Sequence, residues 1–393
     1  MSDVNIDAFI QGTSWQTTYS SNLVWVDPDT GYAFYIDSDD FVVYRKTTNG
    51  GAAWSARVVV SGVANLRVAI WFDQWTQASD AGTIIHIVFI KTPSGNVAYR
   101  QLDTSDDSFG GEVAIRAGPA PTTSILSLVK ARGGNLYAGF FTNVGSNYFY
   151  RSTNGGAAWG ARATMADGAA QDHILLMPGN EADDNDIWCI YGDISTQEIT
   201  VKTYDDTGNS WSESGVVTTL ASVNMFNYLH FGAAPRHSDN LVILVTCTTY
   251  AGAATMRSFV VDGSGTVTAG DDLFTAEGGH VPMPAVMVNQ QNDDIYVGYL
   301  GGTFGATEHA YGRVSDDGLT SWGAQTQYSV VADDHRAIWT ALSVNDNGGR
   351  FEPNWFNDDV NSLVTTEDLS IEISAALPTS VGGLNPSLFE LLM

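Results

Sequence analysis

Four of the seven histidines stand where a row of imidazoles could do chemistry: His173, His230, His280 and His335. Each opens an apolar run of the sequence, and Asp172 and Asp334 immediately precede two of them. Arg67 holds the matching place in an earlier run, and Arg336 follows His335. Neutral imidazole is a common metal ligand and a general base poised near neutral pH. Guanidinium beside it suits the carboxylate of an acidic sugar. The candidate ligand-binding set is therefore His173, His230, His280, His335, Arg67, Arg336, Asp172 and Asp334. His230, His280 and His335 are the candidates for a catalytic base. Three readings stand side by side: a solvated polar mouth with no ligand, a site for a glycan or other small ligand, and a site for a divalent metal, Ca or Zn.

The set has meaning only if the fold lays those apolar runs next to one another, and an internal repeat predicts that it does. Residues 48–57, Thr-Asn-Gly-Gly-Ala-Ala-Trp-Ser-Ala-Arg, recur at 153–162 with one change. Tyr204-Asp-Asp-Thr-Gly-Asn-Ser-Trp211 and Ser315-Asp-Asp-Gly-Leu-Thr-Ser-Trp322 are relatives, the latter with its Gly one place early. Residues 102–109 and the turn 262–265 are degenerate copies. A basic residue precedes each copy: Arg45, Arg100, Arg151, Lys202, Arg257 and Arg313, at steps of 55, 51, 51, 55 and 56 residues. Strand-like sequence at such periods predicts propeller blades.

Each unit reads alike. An apolar run comes first (23–26, 67–72, 125–129, 174–177, 229–233, 281–288, 337–344), then a turn rich in Asp, Asn and Gly. A β-rich strand follows (32–36, 84–90, 136–141, 187–191, 241–246, 295–300, 350–356), then a third strand with the basic residue, the Trp turn and an outer strand. Counting the first two strands gives seven units. The seventh has lost its box, and its third strand is expected at 362–369. The segment 4–10 supplies the missing outer strand and closes the ring, which removes exposed edges. The expectation is an all-β propeller of seven four-stranded blades, with six as runner-up. It is one domain over 1–375, with 1–19 as closing strand and arm, followed by a C-terminal arm at 376–393. That arm either packs back or docks on other protein chains.

Thr47-x-Asn49-x-Gly51-x-x-Trp54, Ser152-x-Asn154-x-Gly156-x-x-Trp159 and Asp206-x-Gly208-x-x-Trp211 resemble the Asp-box, or bacterial neuraminidase repeat; Asp317 and Trp322 extend the series. The resemblance implies a hairpin between third and fourth strands. There Asn49, Asn154, Asp206 and Asp317 bond turn amides, and Trp54, Trp159, Trp211 and Trp322 pack between sheets. It implies structural roles and says little of activity. A sialidase of this kind needs three clamping arginines, a Tyr with a nearby Glu, and an Asp acid. No Arg-x-Pro occurs, Glu numbers ten, and only Arg67, Arg132 and Arg336 lie on or beside inner strands. The chain is therefore not read as a standard sialidase. Some seven-bladed polysaccharide lyases use propeller histidines, a resemblance of fold only.

Composition narrows the partners. With 44 acidic and 17 basic residues, the net charge is −27. That disfavours nucleic acid and anionic membranes and suits saline surroundings, where self-repulsion is screened. Asp27-x-Asp29-x-Gly31 looks like a short calcium loop but lacks the later ligands, so it reads as a turn. Cys189 and Cys247 sit in apolar runs and read as buried thiols. There is no apolar span of membrane length and no cleavable leader, so no membrane insertion is expected. The functional expectation is a non-catalytic module for adhesion, glycan recognition or assembly, on a phage or viral particle or tail. The placement is virion or extracellular without a cleaved Sec signal, with cytoplasm as the alternative. The second functional reading is a carbohydrate-active hydrolase or lyase at the histidine mouth.

Overall fold

A computed structural model describes all residues except 1–2, 12–20, 78, 80, 119–124, 142–146, 166–172, 180–183, 194–195, 197, 220–230, 250–253, 263–265, 278–283, 304–306, 331–332, 334, 367–369 and 377–393. His230, His280, Asp172, Asp334 and nearly all of the expected C-terminal arm therefore lie outside the described residues.

Seven antiparallel sheets follow one another along the chain as the blades of a β-propeller. Their inner strands are Leu23–Trp25, Asn65–Phe72, Leu126–Lys130, His173–Pro178, Phe231–Arg236, Ala285–Asn289 and His335–Trp339. In blades 1 to 6 each pairs with the next strand in sequence, so every blade steps outward from the axis. A blade is covered by neighbours on both faces. Its second strand is therefore buried throughout rather than alternating, as in Ile187–Asp193. Six blades are built from four strands of their own, blade 2 holding an extra short strand, Ser108–Phe109.

Blade 7 is completed from the other end of the chain. Val4–Asp7 pairs antiparallel with Ser362–Thr365, Val4 opposite Thr365. The clamp on this closure is polar. The Tyr35 hydroxyl donates to Asp7 Oδ2 at 2.5 Å, and Arg45 on blade 1 reaches the same oxygen at 3.0 Å. Ile6 and Ile10 join Trp25, Tyr35, Trp339 and Trp355 in a hydrophobic cluster distinct from the larger one that runs from blade 1 through blades 2 to 5 into blade 6.

Blade 7 departs from the expected pattern in two places. The run 337–344 is split: His335–Trp339 is the inner strand, whereas Ser343–Val344 lies parallel to the inner strand of blade 6. The run 350–356 is also split. Gly349–Phe351 pairs with Ile371–Ile373 in a separate hairpin, and Asn354–Asn357 is the blade's second strand. Glu352-Pro353 is the break, since proline has no amide for a ladder.

The repeated turns share one hydrogen-bond pattern. Thr47, Ser152 and Ser315 accept through their hydroxyls from the amides of Gly51, Gly156 and Leu319 at 3.0, 2.9 and 3.1 Å. Asn49, Asn154 and Asp317 accept from the amides of Ala53, Ala158 and Ser321 at 3.0, 2.9 and 3.0 Å. Gly318 therefore matches Gly50 and Gly155, and Leu319 takes the second left-handed position, with φ of 74°. The turn at 204–211 differs: Asp205, not Asp206, accepts from the amide of Gly208, at 2.7 Å. Asp206 turns instead to the preceding blade, where Arg151 and Arg162 bind it at 2.6 and 3.2 Å. The indoles of two copies pack alike on the preceding blade: Trp159 of blade 3 tilts against Tyr99 of blade 2, and Trp211 of blade 4 meets Phe149 of blade 3 edge to face.

Candidate functional site

All seven inner strands run in the same sense, so their starts share one mouth of the channel and their ends the other. The ends are bridged. Between the first two strands of blade 2 the chain makes a short 3-10 turn, Asp73–Trp75, and crosses toward other blades. Gln74 Oε1 accepts from Asn345 Nδ2 at 2.9 Å, and Thr76 Oγ1 donates to the Lys130 carbonyl at 2.9 Å. Gln77 Nε2 donates to the His237 carbonyl at 2.7 Å, while His237 Nε2 donates to the carbonyl of Trp75 at 3.2 Å. Trp71 and Trp75 pack edge to face beneath the crossing, 5.7 Å between centroids. Blades 2, 3 and 5 and the strand beside blade 6 are thus tied together across this mouth. The sequence offers only a weak sign of the crossing, the polar interruption Asp73-Gln-Trp-Thr-Gln77 between apolar runs.

The starts carry the described members of the candidate set. His173 is the first residue of its strand, opposite Gly192, and is buried. His335 opens blade 7, opposite Asn357; its ring tilts against Trp355 at 5.8 Å, and its amide donates to the Asp333 carbonyl. Arg67 lies at a bulge near the start of blade 2, buried, with Nη1 on the Leu66 carbonyl at 2.8 Å. Arg336 faces Asp358 at 3.4 Å. His173 and His335 stand on blades 4 and 7, and Arg67 on blade 2, so these three share a mouth but belong to non-adjacent blades.

Around His335 the structure gathers groups that the sequence reading did not single out. Asp333 accepts through Oδ2 from Asn357 Nδ2 at 2.8 Å, and its carbonyl also accepts from the amide of Glu308 at 2.9 Å. Glu308 is 1% exposed. Asp333 is one residue from the expected Asp334, and Glu308 comes from the third strand of blade 6, a pairing across blades that spacing along the chain does not reveal. Among the described residues no group of three or more His, Cys, Asp or Glu side chains is placed to hold a metal ion.

A second titratable group lies between blades 2 and 3. Asp73 Oδ1 receives Lys130 Nζ at 2.6 Å and His86 Nε2 at 2.9 Å, and His86 Nδ1 meets the Tyr99 hydroxyl at 2.7 Å. Burial pushes the His86 pKa down, outweighing the carboxylate beside it. Burial alone would raise Asp73, but the bonds from His86 and Lys130 hold it below the usual carboxylate range. The consistent state is a neutral imidazole whose Nε2–H donates to a carboxylate.

No protein-family model matches the sequence, and a comparison with curated proteins finds no match. Solved structures do match in shape. An ulvan lyase of a new polysaccharide lyase family, bound to -[GlcA(1-4)Rha3S]-, is 10% identical with a TM-score of 0.55, covering 95% of each chain. A mutant of AofleA from Arthrobotrys oligospora is 13% identical with a TM-score of 0.54, over 81% of this chain and 89% of that one. Hydrazine synthase from Kuenenia stuttgartiensis is 10% identical with a TM-score of 0.54, over 90% and 95%. Proteins so unlike in name share architecture rather than chemistry, and at such identities the likeness shows the fold alone: the chain is a seven-bladed β-propeller.

Proposed function

We propose that the protein is a non-catalytic, glycan-recognising propeller whose ligand sits at the mouth formed by the starts of the inner strands. One observation carries this reading. The opposite mouth is bridged by the blade 2 crossing, while His173, His335, Arg336 and Arg67 all fall at the strand starts. Imidazole and guanidinium are the groups that bind a sugar carboxylate or sulfate. The saccharide-bound lyase of the same fold supports glycan as the ligand class. In this reading the chain serves adhesion or assembly on a phage or viral particle or its tail, outside the cell, and residues 376–393 dock on a partner chain. The repeated turns are Asp-box hairpins, a reading supported by their shared hydrogen-bond pattern.

The test is a glycan array probed with the whole chain, repeated with His335→Ala and His173→Ala. Binding to acidic glycans that falls at least tenfold in either variant, with unchanged melting temperature, supports the proposal. Binding that survives both variants removes the ligand from this mouth. The second reading is a lyase or hydrolase at the same place, for which Asp333 and Glu308, brought next to His335 by backbone bonds, are the candidate acid and base. Release of unsaturated or reducing ends from an acidic polysaccharide, abolished in His335→Ala, would replace recognition by catalysis.

A further inference from the structure

The Tyr99 hydroxyl, on the third strand of blade 2, has several acceptors in reach and one proton to give them. His86 Nδ1 lies at 2.7 Å, the Gly155 carbonyl in the repeated turn of blade 3 at 3.2 Å, and Gln101 Oε1 at 3.3 Å. The far side of the imidazole is already committed. Its Nε2 meets Asp73 Oδ1 at 2.9 Å, and a carboxylate only accepts, so Nε2 carries the ring proton. A neutral ring therefore leaves Nδ1 as an acceptor. The short contact at 2.7 Å takes the Tyr99 proton, and the Gly155 carbonyl goes without that bond. A second proton on the ring reverses the arrangement. Nδ1–H becomes a donor, Tyr99 Oη can only accept from it, and the hydroxyl proton swings to Gly155.

We propose that His86 and Tyr99 form a proton-driven hydrogen-bond switch that ties the repeated turn of blade 3 more tightly to blade 2 in acid. The line runs from Asp73, on the crossing that braces the bridged mouth, through His86 and Tyr99 to Gly155. His86 and Tyr99 are 4% and 2% exposed, so water does not compete for these bonds. The charged and titratable groups facing the imidazole are Asp73 from the crossing, Lys130 from the inner strand of blade 3, and Tyr99 itself. Trp71 and Gln101, opposite His86 on the two flanking strands, carry no charge, and neither does the turn at 153–158. Asp103, further along the third strand, is held by Ser105. Burial pushes the Tyr99 pKa up, so it stays a phenol throughout. Burial lowers His86 against the pull of Asp73, so the ring takes its second proton below the usual value of about 6.5. Gly156 already packs against the Tyr99 ring with room for no more than hydrogen, so the swing needs no movement of turn or ring. The switch is independent of any ligand at the histidine mouth.

The test follows the full chain from about pH 7 to about pH 4.5. Nitrogen NMR of histidine-labelled protein, with the His86 signals assigned through His86→Gln, reads the ring directly. The Nε2–H tautomer is expected at the start, and a doubly protonated ring at the acid end in a chain that is still folded. Amide hydrogen exchange, corrected for the chemical rate at each pH, reads the turn. Exchange in residues 154–158 should slow about threefold in acid. His86→Gln and Tyr99→Phe should abolish that change. Gln101→Leu removes the competing acceptor and should keep it. If Tyr99→Phe fails to fold, His86→Gln makes the same comparison. An Nδ1–H tautomer at about pH 7, a ring that stays neutral until the chain unfolds, or an acid effect that survives in His86→Gln or Tyr99→Phe overturns the proposal. Loss of the effect in Gln101→Leu would make Gln101 the acceptor and overturn the role of Gly155.

Discussion

Gly156 sits at φ of 91°, and a Cβ placed on it would lie 2.0 Å from the Tyr99 ring of the preceding blade. Gly51, at 89°, meets the Glu352 carboxylate in the same way, at 2.4 Å. The third turn reverses the fit: Leu319 fills the turn, and the preceding blade gives way with Gly270, whose Cβ would lie 3.0 Å from that of Leu319. The second glycine of the repeat is therefore set by its neighbour blade as much as by its own backbone. Gly156→Ala should cost about 2–4 kcal/mol in denaturant unfolding, from left-handed strain plus overpacking. A cost below about 0.5 kcal/mol, the size of an ordinary surface change, would contradict this account. The Asp73–His86 pair gives a pH prediction. His86 has a folded pKa below its unfolded value of about 6.5, so the unfolded chain takes up its proton first as pH falls. Stability from this group is full above about pH 6.5 and declines below it. Asp73, also lowered, adds a second loss below about pH 3.9. Melting temperature should fall from pH 7 to 5, and His86→Gln should flatten that slope; an unchanged slope would place the titration elsewhere.

At the scale of elements, the ring closes through a strand that the sequence places well and a clamp that it does not. The expected segment 4–10 contains the observed Val4–Asp7, because alternating apolar residues before a long gap could only belong to a blade lacking its fourth strand. The clamp of Asp7, Tyr35 and Arg45 joins residues far apart in sequence, and no local pattern announces it. Inner strands and the series of basic third-strand residues were legible for the same reason: their signal repeats every blade. The splitting of 337–344 and 350–356, the crossing at 73–77 and the Glu308–Asp333 bridge occur once each, so periodicity is silent about them. Half of the proposed histidine series also rests on residues outside those described. Asp7→Ala leaves a largely buried Tyr35 hydroxyl and a guanidinium without their acceptor, and should cost about 3 kcal/mol. Thermal unfolding measures it, and Arg45→Ala should cost less in this background than on its own, since the two share the Asp7 contact while Arg45 keeps its bonds to the Tyr35 hydroxyl and the Ser55 carbonyl. Full additivity would show that the clamp does not exist as drawn.

The whole molecule carries a charge problem that the propeller does not remove. If every one of the 17 basic residues paired with an acid, 44 − 17 = 27 acidic groups would still face one another. Two electrostatic effects then oppose each other as salt is added. Screening weakens attractive pairs such as Arg57 with Asp39 and Lys46 with Asp107, but exposed pairs are worth only about 0–1 kcal/mol each. Screening also relieves repulsion among the unpaired acids, which acts between all of them at once and grows with compactness. The Debye length falls from about 10 Å at 0.1 M to about 3 Å at 1 M. The repulsive term is the larger because most of the charge has no partner. Raising sodium chloride from about 0.05 M to about 1 M should therefore increase the melting temperature, with most of the gain by the point where the Debye length reaches a few ångströms. Sucrose at equal osmolarity separates charge screening from general exclusion effects, since it carries no charge. A melting temperature that stays flat or falls with salt while rising with sucrose would mean that the paired charges dominate, and the saline setting would lose its physical support.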